Sequence, residues 1–332
     1  MKKIMNDPKD YTVDMLRGIY AAHKDAVKYV NDDLHCYCVK NGKPGKVAIV
    51  TGGGTGHLPL FLGYVGEGML DGCAVGDVFQ SPSAEQILEI SKEVDNGSGI
   101  LYLYGNYTGD IMNFDMAGEL CEMEDIKTMS LTGMDDVCSA PKGNEDRRRG
   151  VAGIFFQYKC AGALADQMAS LEDVYEIAKE AGSRVRTAGF GLSPCIIPEV
   201  GKANFSLKED EIAMGMGIHG EPGIWNGTLK TAKEIANEMI GYILTDMPIA
   251  SGEEVSVLVN GLGSTPIDEL YILFAEVETI LAEKGIKIDS VYVGEYATSM
   301  EMAGASISVF HLNKKLKELM HYSAKTPFFS QN

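Results

Sequence analysis

Three short runs carry the residues able to do chemistry. The first is Met214-Gly215-Met216-Gly217-Ile218-His219-Gly220-Glu221-Pro222-Gly223-Ile224, which sets one imidazole among small residues. Imidazole titrates near neutral pH, so His219 offers a nucleophilic ring nitrogen without strong tuning. The turn signal after it, Gly220-Glu221-Pro222-Gly223, can bring Glu221 near the ring. The second run, Thr51-Gly52-Gly53-Gly54-Thr55-Gly56-His57, places another imidazole beside glycines. The third, Gly105-Asn106-Tyr107-Thr108-Gly109-Asp110, supplies a carboxylate. Together they offer a nucleophile, a proton donor and a base.

Each run also has a plainer reading. A glycine loop at a helix start binds anions through its backbone amides. Yet Gly52 to His57 matches neither phosphate fingerprint: no Gly-Lys-Ser/Thr follows, and a G-x-G-x-x-G begun at Gly54 meets Pro59. A tight strand–helix turn explains the glycines equally well. Asp110 precedes a helical pattern, so it reads as an N-cap as readily as a base. His219 reads as a half-buried, hydrogen-bonded histidine as readily as a nucleophile. The other histidines, 23, 35, 311 and 321, lack comparable surroundings, and no metal-ligand spacing occurs. Trp225 either covers the His219 turn or packs in the core.

The elements that must position these residues follow from periodicity. Lys46 to Thr51, Gly99 to Tyr104 and Ile126 to Leu131 read as strands. Helices are expected from Leu58, over Asp110–Leu120 and over Leu171–Ala181. Functional loops of such alternating folds gather at the carboxyl ends of strands, so His57 and Asp110 can meet there. A second block follows: strands at Ile212–Ile218, Val255–Asn260, Val291–Glu295 and Ser306–His311, and helices at Leu229–Leu244 and Ile267–Glu283. His219 is thus expected at a strand end. The chain reads as a two-domain layered α/β protein with mixed sheets flanked by helices. The domains span residues 1–184 and 185–332, a division consistent with the length of 332 residues.

Composition narrows the function. The net charge is −18, and the densest basic cluster is only Arg147-Arg148-Arg149. Nucleic acid and anionic membrane surfaces need a positive footprint and are excluded as partners. Seven cysteines at irregular spacing, with no export signal before them, imply reduced thiols in the cytoplasm. Cys36-Tyr37-Cys38 is the one close pair and lacks a second pair to complete a metal site.

In combination the motifs resemble the K subunit of dihydroxyacetone kinases. The likeness runs through Thr51–His57, Phe79-Gln80-Ser81-Pro82-Ser83, Asn106–Asp110 with Met112-Asn113-Phe114, and Arg148–Ala152. It continues through Gly215–Gly223, Leu258–Pro266 and Thr298–Gly304. The resemblance implies a homodimeric, ketose-binding kinase subunit of glycerol metabolism. His219 matches the histidine that adds to a ketose carbonyl as a hemiaminal. His57 would assist proton transfer at the carbonyl oxygen, and Asp110 would be the base for the hydroxyl that attacks phosphorus. Gly53, Gly54, Ser81 and Gly105 match positions lining the ketose site. The chain itself would bind no cofactor. ATP, or ADP recharged by a phosphotransferase protein, would sit with magnesium on an L-type nucleotide-binding partner.

Two positions depart from the family pattern. Gly105 stands where Lys is usual, and Leu58 where Glu follows the first motif histidine. Losing the lysine removes a cation and is expected to open space. That suggests either a kinase subunit for a four-carbon ketose such as erythrulose, or a ketose-sensing coactivator paralogue. The presence of Asp110, needed for phosphoryl transfer alone, favours the kinase.

Overall fold

The computed structural model describes residues 2–332. Six strands form the first sheet: β1 (Val27–Val30), β2 (Asp33–Val39), β3 (Ala48–Thr55), β4 (Gly72–Val78), β5 (Ile100–Gly105) and β6 (Thr128–Gly133). Their order is β1-β2-β4-β3-β5-β6. β4, β3, β5 and β6 run parallel, and the β1–β2 hairpin is joined antiparallel to β4. β3 is central, and its apolar run Ala48-Ile49-Val50 is buried on both faces, as a parallel strand between helices must be. The chain leaves β3 for β4 on one side and crosses to β5 on the other. The carboxyl end of β3, where His57 lies, is therefore the topological switch point.

The second sheet contains β7 (Val185–Ser193), β8 (Glu211–Met214), β9 (Trp225–Thr228), β10 (Glu254–Gly261), β11 (Lys287–Gly294) and β12 (Ala303–His311). Its order is β11-β10-β12-β7-β8-β9, with only β10–β11 parallel. Both sheets are thus mixed. Helices α1 (Tyr11–Ala22), α2 (Ala84–Val94), α3 (Thr108–Glu122), α4 (Ile154–Asp166) and α5 (Leu171–Ser183) serve the first half. In the second half lie α6 (Ala232–Asp246), α7 (Ile267–Glu283) and α8 (Lys314–Met320), and the short pair β13 (Ala324–Lys325) and β14 (Ser330–Gln331) closes the chain. Ser83 with Gln86 and Thr231 with Glu234 form capping boxes that start α2 and α6.

One core joins the halves. α4 is buried along almost its whole length, so it has no polar face to show to water. Its Phe155 ring packs against Tyr64 from the first half and against Tyr292, Tyr296 and Phe329 from the second. Phe156 stacks on Phe310 of β12 at 4.9 Å. The tail returns to the first half, where Lys325 bridges Glu67 and the Thr326 hydroxyl donates to the Gly63 carbonyl. Among the described residues no helix is long and apolar enough to cross a membrane.

The structure departs from the sequence reading at two expected elements and decides the open reading of Trp225. The helix expected from Leu58 is only a 3-10 turn, Leu62–Tyr64, preceded by Phe61 at φ 68°. A helix cannot pass through a left-handed residue, so this segment folds as a loop over β3. The strand expected to reach Ile218 stops at Met214, because Gly215 turns out of it at φ 79°. His219 therefore sits within the β8–β9 loop. Trp225 begins β9 and donates through Nε1 to Glu238 of α6, so it packs against that helix.

Phe155 is fully buried, so Phe155→Ala should destabilise the protein by about 3–5 kcal/mol. Because its contacts span both halves, denaturant unfolding should remain one coincident transition by fluorescence and circular dichroism. Two separated transitions would show that the halves hold separate cores.

Candidate active site

The site is assembled from five loops. His57 leaves β3, Phe79 and Ser81 leave β4, and Tyr107 and Asp110 lie between β5 and the first turn of α3. His219 and Glu221 come from the β8–β9 loop, and Thr298 from the segment between β11 and β12. Both halves contribute. The decisive contact is between them: Nε2 of His57 and Nε2 of His219 stand 3.0 Å apart, with the rings perpendicular.

His57 is buried, and its Nδ1 lies 2.8 Å from the carbonyl oxygen of Thr298. Phe79 stacks on its ring at 4.9 Å and meets His219 edge-on at 5.1 Å. Burial, with the charge of His219, pushes the His57 pKa down to about 3. The ring is therefore surrounded by a setting that strongly prefers its neutral form.

Three non-glycine residues around His57 hold left-handed backbone: Phe61 at φ 68°, Phe79 at φ 59° and Met300 at φ 52°. Each such residue costs about 1–3 kcal/mol, and this strain tends to cluster at functional sites. Gly53 and Gly54 make the arrangement possible. A Cβ on Gly53 would fall 2.4 Å from the Phe61 ring, and one on Gly54 would fall 2.8 Å from the Phe79 Cα. The glycines thus admit the two phenylalanines, which in turn frame His57.

His219 is half-buried and held from behind. Its Nδ1 is 2.9 Å from Glu221 Oε1, and its backbone N–H donates to Glu221 Oε2 at 2.9 Å. Asn204 donates to the His219 carbonyl at 2.8 Å. Burial opposes the charge of Glu221, but the His219 hydrogen bond and the charges of His219 and Arg149 prevail and hold its pKa at about 2. Arg149 lies 3.8 Å from Glu221 and donates to Asp136 at 2.9 Å and to the Gly215 carbonyl at 2.9 Å. A carboxylate backing an imidazole fixes its orientation and leaves the other ring nitrogen facing the reacting atom. Gly217 is required for this pair, since a Cβ there would fall 2.2 Å from Glu221 Oε2.

Asp110 is not an N-cap. Tyr107 occupies the cap position, without a side-chain cap bond, and Asp110 lies in the first turn of α3. It is buried, and among the described residues its Oδ1 has no partner. Burial raises its pKa to about 6, partly offset by the Ser81 hydroxyl and the charge of His219. Ser81 is thus brought to Asp110.

The space expected beside Gly105 is already filled. A Cβ there would meet the Tyr107 ring at 3.0 Å. That ring packs edge-on against His219 at 4.9 Å, and its hydroxyl donates to the Gly150 carbonyl at 3.1 Å. The absence of lysine therefore removes a cation without enlarging the site. Phe79, Tyr107, Arg149 and Thr298 were not singled out for the site from sequence. For Phe79 the only local signal was its place before Gln80-Ser81-Pro82, and Thr298 acts through its backbone, which sequence does not mark. Cys36 and Cys38, by contrast, lie buried in β2, away from these loops.

The profile of the Dak1 domain family matches residues 17–328. The chain is 41% identical over 330 residues to the dihydroxyacetone-binding subunit DhaK of PTS-dependent dihydroxyacetone kinase 2 from Listeria innocua serovar 6a, covering 99% of each. It is 38% identical over 331 residues to the D-erythrulose kinase of Mycolicibacterium smegmatis, covering 100% of this chain and 57% of that protein. The solved structure of the dihydroxyacetone kinase operon co-activator Dha-DhaQ superposes with a TM-score of 0.90 at 28% identity, covering 98% of this chain and 99% of that one.

Asp110 gives a stability prediction. A carboxyl whose folded pKa is raised to about 6 favours the fold while protonated, and that contribution is lost as pH rises through about 6. Asp110→Asn should therefore be more stable than the parent at pH 8 by about 1–3 kcal/mol. The gap should close as pH falls toward 4 in urea denaturation. A pH-independent difference would contradict the burial of Asp110 with one oxygen unsatisfied.

Proposed function

The chain belongs to the Dak1 family, and we propose that it is the ketose-binding subunit of a dihydroxyacetone-type kinase, holding a short ketose on His219 for phosphorylation. The 3.0 Å approach of His57 to His219 carries the reading. It brings two ring nitrogens side by side at the switch point of the sheet, one to serve as nucleophile and the other to pass a proton. A ketone needs both: a lone pair for its carbon and a proton for the oxygen that becomes hydroxyl. The product is a reversible hemiaminal. Imidazole cannot continue to a neutral imine, so the adduct waits at that stage. Glycerol lacks the carbonyl and cannot form the bond, which is a sharper selection than pocket shape gives between near-isosteres.

Asp110 then serves the terminal hydroxyl. Its Oδ1 is free of any hydrogen bond among the described residues, and its pKa of about 6 suits a base that must be ionised near neutrality and still hold a proton well. The phosphoryl group comes from outside. An L-type partner would bring ATP, or ADP recharged by a phosphotransferase protein, together with magnesium, and the Listeria relative is itself described as PTS-dependent. Seven free cysteines suit a reducing cytoplasm. A homodimer is part of the same proposal.

Dihydroxyacetone is the first substrate to test. The four-carbon reading gains nothing from position 105, where the Tyr107 ring fills the gap. It rests on the 38% identity to the D-erythrulose kinase. The sensor reading rests on the likeness to the co-activator. A sensor has no use for a buried carboxylate with a free oxygen beside its ketose.

Phosphoryl transfer decides among these. The chain, an L-type partner, ATP and magnesium are offered dihydroxyacetone, both erythrulose enantiomers and glycerol. Ketose-dependent turnover that vanishes in His219→Ala is expected, and glycerol should be inert. Asp110→Asn should lower turnover by about 10²–10⁴-fold while ketose still binds. The acid limb of the parent's kcat profile should rise to a plateau through pH about 6. Ketose binding that needs His219, with no turnover, would support the sensor.

A further inference from the structure

Both imidazoles at the site have one nitrogen already committed. Nδ1 of His57 faces the Thr298 carbonyl oxygen at 2.8 Å. That oxygen carries no hydrogen, so Nδ1 must donate. Nδ1 of His219 faces Glu221 Oε1 at 2.9 Å, and the same carboxylate accepts the His219 backbone N–H. An ionised carboxylate only accepts, so this Nδ1 must donate too. If both rings were neutral, each Nε2 would then present a bare lone pair. Two lone pairs would face each other across 3.0 Å. That is a repulsive contact at hydrogen-bond distance. With a further proton on both rings, two N–H groups would collide there instead. One additional proton turns the contact into an Nε2–H···Nε2 hydrogen bond.

We propose that the ligand-free site stores this one proton between His57 and His219, and that it is the proton delivered to the ketose oxygen on binding. The inference rests on the hemiaminal reading for its second half only. The local charge agrees with it. Glu221, Arg149 and Asp136 form a connected group with two carboxylates and one guanidinium. One cation on the imidazole pair balances them. The other titratable groups facing the pair are Asp110 and Tyr107 on the His219 side. His57 is otherwise walled by Phe61 and Phe79.

The step balances without solvent. The proton rests on His219, beside Glu221, and passes across the 3.0 Å contact to Nε2 of His57. The freed lone pair of His219 bonds the carbonyl carbon. The carbonyl π pair moves to oxygen, which takes the proton from His57. His57 ends neutral, the substituted His219 ring carries the positive charge against Glu221, and the ketose oxygen is a neutral hydroxyl. No proton enters or leaves the protein. Had the rings both been neutral, binding would draw one proton from solvent. Had both been charged, it would release one.

Two measurements test this. The first is calorimetry of dihydroxyacetone binding at pH 7.5 in buffers of different ionisation enthalpy, with the parent and with Asp110→Asn to remove that carboxyl's own titration. In Asp110→Asn the expected net exchange is zero protons; uptake or release of one overturns the proposal. The second needs no ketose. Ring nitrogen shifts of ¹⁵N-histidine-labelled protein distinguish protonated from bare nitrogens, and His57→Asn and His219→Asn assign the signals. Three protons on the pair's four nitrogens are expected at neutral pH, and two or four refute it. In Glu221→Gln the amide can donate to Nδ1 of His219, so the count should fall to two. If ketose fails to bind at all, the functional reading fails, while the nitrogen count still decides the stored proton.

Discussion

The contact between Nε2 of His57 and Nε2 of His219 governs this molecule, because the two rings come from different halves of the chain. A hydrogen bond is lost over a few tenths of an ångström. Two loops on separate sheets keep such a distance only if the sheets themselves are fixed against each other. The core around α4 does this. Phe155 and Phe156 touch aromatic residues from both halves, and the tail carrying Phe329 returns to the same cluster. Close-packed aromatic cores have few alternative arrangements, so the position of one sheet dictates the position of the other. A second tie lies at the site itself, where the Thr298 carbonyl accepts from His57 across the same boundary.

The site uses stability that the core supplies. Phe61, Phe79 and Met300 are held in left-handed backbone, and Asp110 is buried without a partner for Oδ1. Each would relax if the surroundings allowed it. They persist because the loops are pinned by strand ends and by the phenylalanine rings that Gly53 and Gly54 admit. The strain and the free carboxyl oxygen occur together within one site, where preorganisation is useful: a ligand meets groups already aimed, rather than groups that must be ordered on arrival.

The sequence was most readable where periodicity and packing agree. Ile267–Glu283 is a helix over the expected residues, and β3, β5 and β6 lie where apolar runs end in glycines. His57, Asp110 and His219 stood out because polar, reactive types sat in glycine-rich loops rather than on apolar faces. Other features stayed hidden for physical reasons. The left-handed turn at Phe61 reverses a segment that otherwise reads as helical, and no side-chain pattern announces a positive φ. The end of β8 is set by Gly215, whose conformation depends on how Ile224 and Cys138 pack against it. The filling of the gap at Gly105 depends on the rotamer of Tyr107, which is a tertiary property. Arg149 is read from sequence as one of three arginines, yet only it reaches Glu221.

On the proposed reading the same geometry divides labour between this chain and a partner. On the proposed reading the groups around the reacting carbon are already partnered: Glu221 bonds the His219 ring, and Asp136 pairs with Arg149. What remains near the hydroxyl is Asp110, a carboxyl that prefers to take a proton. At position 105 there is a glycine covered by an aromatic ring, so no cation reaches out from there to meet an incoming phosphate. Phosphoryl transfer develops negative charge on the transferred oxygens and requires cations around them. On the proposed reading those cations arrive with the nucleotide on the partner subunit. On the same reading this chain contributes a covalent grip that recognises a carbonyl, and a base placed within the same enclosure. If that reading holds, such a site keeps its ketose whether or not the donor is present, and the donor alone decides when chemistry occurs.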